Sequence, residues 1–193
     1  MRIFYTFVLS LLVGQLSAQS GYTTYVGNYF KSMEKEIADC DKGDCRHQLR
    51  FSLQQVNAYD TTTTKVVKCW YKTYLQPDAK DLDSSFIRPL RIDTYMKNSA
   101  MEEYKIFVFE GDKLVFFVLE TPFEVVQYVM KNGEISDKQE FFKPLATKPE
   151  AAKELSAYQT AYEETKKANN IAAEAQRYRQ RSREWLLWQW RGY

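Results

Sequence analysis

Six carboxylates, Glu102, Glu103, Glu110, Asp112, Glu120 and Glu124, crowd one short stretch of the chain. Two carboxyl groups a few ångströms apart perform glycoside hydrolysis, one as general acid and the other as base or nucleophile. Most of the six fall in turns or at the solvent-facing positions of strands, where charge also keeps a sheet soluble and its edges unpaired. The stretch therefore reads either as a carboxylate-dependent hydrolase of the cell envelope or as a charged, noncatalytic surface. No nucleophile elbow, phosphate-binding loop or dinucleotide fingerprint accompanies it.

His47 is the sole histidine and Cys40, Cys45 and Cys69 the only cysteines. A zinc site on paired histidines is thereby excluded, and a closed Cys/His set would have to use all four residues. Cys40 and Cys45 flank Asp-Lys-Gly-Asp, a spacer able to curl back for a disulfide, which is the favoured pairing; a bridge from either to Cys69 is the alternative. A cysteine nucleophile would have to draw on His47, which otherwise reads as a surface or strand-edge residue. Asp39 to Asp44 begins like a calcium loop, but positions six and twelve hold Asp44 and Arg50 instead of Gly and Glu. No metal and no cofactor is expected.

The most distinctive side chains stand at the far end. Arg177, Arg179, Arg181 and Arg183 alternate, and Trp185, Leu186, Leu187, Trp188 and Trp190 come directly after them. On a helix these apolar residues point in nearly every direction, so something must cover them: the domain's own sheet, a second copy, a protein partner or a membrane surface. Trp and Arg are enriched at interface hot spots. They also suit the interfacial layer and the anionic headgroups of a bilayer.

Periodicity defines the elements that would position these groups. Tyr22, Val26, Tyr29, Phe30, Met33 and Ile37 recur at helical spacing, predicting an amphipathic helix over 22–38 with a turn at 39–44. From Arg46 the period changes to two: Leu49, Phe51 and Leu53 mark one strand, and Val67, Cys69, Tyr71 and Thr73 one face of the next. Phe86 to Lys97 is a further strand, which Pro89 confines to an edge or a bulge. Tyr104, Ile106 and Val108, then Leu114, Phe116 and Val118, then Val126, Tyr128 and Met130 alternate between turns, the last ending at Asn132-Gly133, a hairpin signal. Glu150 to about Trp188 contains neither Gly nor Pro and predicts one long helix. The fold expected is α+β: an antiparallel meander sheet of about five or six strands with an N-terminal helix and a long C-terminal helix.

Residues 1–18 read as a signal peptide, with Arg2, an apolar run from Ile3 to Val13 and the small-residue exit ending at Ala18. The run is about half the 20 residues a membrane span needs. The expected organisation is a signal peptide over 1–18, an α+β sheet domain over 19–146 and a C-terminal helix with an Arg/Trp-rich end over 147–193. The address is periplasmic or extracellular. Across the chain 27 basic residues meet 25 acidic ones, a balance that gives no footprint for nucleic acid. The functional expectation is an exported noncatalytic binding or interaction module that uses an aromatic sheet face or the Trp-rich C-terminal segment. The alternatives are the hydrolase and a peripheral envelope protein held to a membrane by its last residues.

Overall fold

The computed structural model describes residues 21–41, 48–56, 64–73, 87–97, 102–142 and 163–190. They belong to two units, Met1–Asp44 and Cys45–Tyr193. The residues read as a signal peptide, 1–18, lie outside the described residues, as do Cys45, His47, residues 143–162 and the side chains of Cys40, Leu187, Trp188 and Trp190.

In the first unit, helix α1 spans Gly21–Asp41. Val26, Phe30, Met33 and Ile37 form its buried stripe, as their spacing of three and four requires. The helix continues to Asp41, past the start of the turn expected at 39–44. From Asn28 to Lys42 the chain meets neither Gly nor Pro to stop it.

The second unit is a seven-stranded sheet with the strands in sequence order. These are β1 (Gln48–Val56), β2 (Thr64–Thr73), β3 (Ile87–Lys97), β4 (Glu102–Glu110), β5 (Lys113–Glu120), β6 (Glu124–Lys131) and β7 (Glu134–Phe142). Every neighbouring pair is antiparallel, so the expected meander is present, in an α+β protein with a helix before and a helix after it. The seventh strand is the return arm of the hairpin at Asn132-Gly133. Both turn residues have positive φ, 55° and 85°, the conformation that a two-residue hairpin of matching twist needs. The sequence Glu-Ile-Ser-Asp-Lys-Gln-Glu hides this strand, because most of it is polar and exposed.

Pro89 sits on an internal strand and is accommodated by a bulge. Trp70 pairs with Arg91 and Tyr71 with Pro89, leaving Leu90 over, and the ladder between β3 and β4 begins only at Arg91. The proline ring thus faces no donor-requiring position of β4. β4 is buried on both faces, its burial running unbroken from Lys105 to Phe109, so the expected alternation holds for only part of it. A continuous apolar run such as Ile-Phe-Val-Phe belongs to a strand covered on both sides.

Helix α2 spans Ala168–Trp190 and closes one face of the sheet. Ile171, Ala175, Tyr178 and Leu186 enter the same core as Cys69, Tyr71, Ile92, Phe107, Phe117, Leu119, Val126, Tyr128 and Met130. The single helix expected from Glu150 is interrupted at Lys166-Lys167. Lys167 N–H donates back to the Glu164 carbonyl at 3.3 Å, and the Asn170 side chain caps that carbonyl at 2.6 Å. Lys166 turns inward to Glu124 at 2.6 Å. Good helix formers alone do not keep a helix going where a buried carboxylate recruits a lysine out of it.

Candidate functional site

The row Cys69, Ile92, Phe107, Phe117 and Tyr128 runs across five strands in register. It forms the aromatic floor on which α2 lies. Phe107 meets Phe117 at 5.0 Å between ring centroids and Tyr178 of α2 at 5.8 Å; Phe117 stacks on Tyr128 at 6.0 Å. These separations fall in the range where rings add to their burial by favourable edge and offset contacts.

Three polar contacts fix α2 along this floor, and a fourth anchors the turn just before it. Near its start Lys166 Nζ bridges Glu124 at 2.6 Å and Glu163 at 2.9 Å. Further in, Lys105 Nζ reaches both carboxylate oxygens of Glu174 at 3.0 Å and Glu103 Oε1 at 3.0 Å. Beyond it, the Tyr71 hydroxyl is bonded to Ser182 Oγ, which donates to the Arg179 carbonyl at 3.1 Å. At the β4–β5 turn, Arg179 donates to the Asp112 carbonyl at 2.7 Å and sits 3.2 Å from Oδ1 of the same residue. Arg88 holds the other carboxylate oxygen of Asp112 at 3.4 Å.

Burial sets the electrostatics of this seam. It pulls the pKa of Lys105 down, but the carboxylates of Glu103 and Glu174 outweigh it and hold the ammonium above its ordinary value. The same balance, with Glu124 and Glu163 as partners, raises Lys166. Burial pushes the Cys69 thiol up to about 12, although Ser182 works against the rise. It also raises Tyr71, with the neighbouring thiol adding to it. A thiol held protonated is a poor nucleophile, so the Cys69, Ser182 and Tyr71 trio is a packing and hydrogen-bonding group. Cys69 is a free, fully buried thiol. The favoured Cys40–Cys45 pairing falls outside the described side chains.

Each of the six carboxylates is engaged. Glu103 and Glu124 are buried, 8% exposed each, against the turn or solvent-facing positions expected for most of the set; Lys105 and Lys166 make that burial tolerable. Glu102 accepts from the Tyr95 hydroxyl at 2.9 Å and pairs with Lys97 at 3.3 Å, and Asp112 is held by Arg88 and Arg179. Glu110 and Glu120 have partners as well.

On the opposite sheet face a second polar group is buried. Arg91 forks onto Asp93 at 2.5 and 2.7 Å, Tyr104 donates to Asp93 at 2.6 Å, and the guanidinium lies 5.3 Å from the Trp70 ring centre. Burial, reinforced by Asp93, raises the Tyr104 hydroxyl. Asp93 is thus saturated by donors, an arrangement that orders three strands and offers no free base.

The chain matches no family model, no curated protein and no solved structure. Its function must be argued from its own residues.

The Arg/Trp-rich segment divides. Leu186 is buried in the core beneath α2 and Arg179 is tied to the β4–β5 turn, so both serve the domain itself. Arg183 and Trp185 are half-buried, while Arg177 and Arg181 lie on the exposed side of α2. Arg177 stays 57% exposed, 3.8 Å from Glu174. Alternation along the sequence groups the four arginines, whereas the helical period splits them into two pairs one turn apart. Arg177 and Arg181 share the exposed side, and Arg179 and Arg183 the partly covered one. Sequence reading missed Lys105, Lys166, Glu174 and Ser182. The lysine inside an apolar strand run was the available signal for the first of these. Among the described residues no group of His, Cys, Asp and Glu is arranged to hold a metal ion, and no helix is long and apolar enough to cross a membrane.

Proposed function

We propose that this chain is an exported, noncatalytic interaction module whose partner is engaged by the last turns of α2. The observation that carries the reading is the seating of α2 from Ile171 to Leu186 on its own sheet. That seating leaves Arg177 and Arg181 on the exposed side of the helix, and the partner is assigned to them and to the tryptophans that follow in sequence. The ion pairs of Glu102, Glu103, Asp112 and Glu124 support the noncatalytic part, because a carboxylate held by a lysine or arginine is poorly placed to trade protons with a substrate. The signal-like residues 1–18 support export.

The row Cys69, Phe107, Phe117 and Tyr128 is buried with residues of α2, so the partner is assigned to the end of the helix and not to that row. The test is truncation after Leu187, which spares the buried Leu186. The shortened chain should keep its thermal midpoint and lose its partner in affinity capture from fractionated cells. Retention of the same partner by the shortened chain would refute the reading.

A further inference from the structure

The sheet face turned away from α2 carries a cluster of hydrogen-bond donors around Trp70. Lys68, Trp70 and Lys72 alternate along β2 with Cys69 and Tyr71, which enter the core shared with α2, so these three stand on the other face. Register sets Asp93 opposite Lys68, Arg91 opposite Trp70 and Arg88 opposite Lys72. Tryptophan, lysine and arginine side chains donate hydrogen bonds and accept none. The carboxylates bonded into this group are already held, Asp93 by Arg91 and Tyr104 and Asp112 by Arg88 and Arg179.

Trp70 is 8% exposed, and the Arg91 guanidinium lies over its ring at 5.3 Å from the centre. Its indole Nε1–H is buried with no hydrogen-bond partner among the described residues. A buried donor left unbonded weakens the fold, so the position favours a ligand that brings an acceptor. Lys68, two positions away on the same face and so about 7 Å off along the strand, is exposed and gives the cluster an opening to solvent.

We propose that this cluster is a binding site for a small oxyanion, a carboxylate or a phosphate, which accepts from Trp70 Nε1–H and is held by the Lys68 ammonium, with Lys72 and Arg91 adding positive charge around it. An anion brings acceptors and negative charge together, whereas a metal ion or an amine brings neither. A water molecule can accept from the indole but gains nothing from the lysines. The site involves neither Trp188 nor Trp190 and does not depend on the proposed partner.

The experiment is a proton–nitrogen NMR titration of the full chain near neutral pH with sodium phosphate and, separately, sodium succinate, at an ionic strength held constant with sodium chloride. The Trp70 indole resonance, identified by sequential assignment, should shift downfield and saturate with at least one of the two anions, and the tighter of them names the group the site takes. Lys68→Gln should weaken that binding about tenfold, the effect of losing a charged hydrogen bond, while melting in chloride at the wild-type temperature. The proposal is overturned if the resonance moves in proportion to salt without saturating, the behaviour of an adventitious ion only. It is equally overturned if the resonance does not move, which leaves water as the acceptor, or if Lys68→Gln binds as tightly as the wild type.

Discussion

Lys105 is the residue on which most of the local order between sheet and helix depends. Its side chain is 5% exposed and is shared by carboxylates 10% and 16% exposed. Removing the ammonium leaves two buried negative charges facing each other. Lys105→Met should therefore cost about 3–5 kcal/mol, read from urea unfolding; a variant as stable as wild type would show that the cluster is not holding α2. Titration gives a second residue-scale prediction. Cys69 has an ordinary pKa of 9.0 and is raised to about 12 in the fold. The unfolded chain releases this proton first, so the stability linked to it is complete below pH 9 and falls as pH rises toward 12. The slope is about 1.4 kcal/mol per pH unit for one group. Raised Tyr71 and Lys105 act in the same sense above about pH 10. Wild type should thus lose stability steeply from about pH 9 upward. Cys69→Ala should start lower but show a shallower decline between about pH 9 and 10; parallel curves would contradict the burial of this thiol.

Among the elements, the turns and the period-two runs were legible in the sequence because each depends on residues next to one another. Asn132-Gly133 announced its hairpin, and its positive φ values bear this out. Gly133, at φ 85°, takes a conformation that disfavours any Cβ, so Gly133→Ala should lower stability by about 1 kcal/mol. Gly21 has open space around it and ordinary φ, so Gly21→Ala should shift the midpoint only slightly. A thermal melt of the two variants side by side checks the contrast. The break before α2 was not legible, because it depends on Glu124, far away in sequence and buried only once β6 has formed. The depth of β4 was half legible: the run Ile106 to Phe109 signals burial on both faces, but Lys105 finds its partners in Glu103 and in Glu174 of a helix far along the chain. Pro89 was readable as a bulge or an edge, and register alone chose the bulge.

At the scale of the whole molecule, the Arg/Trp-rich end is divided between residues seated on the sheet and residues on the exposed side of α2. Arg179 and Leu186 fasten the helix to its sheet, while Arg177 and Arg181 stay on its exposed side. Engagement of a partner by this end is tested most directly by affinity capture with the wild-type chain and a Trp188→Ala/Trp190→Ala variant in parallel, after thermal melts have shown equal stability. A partner should be held by the wild type in stoichiometric amount and lost from the variant. Equal recovery of the same partner by both chains would contradict its capture through the tryptophans.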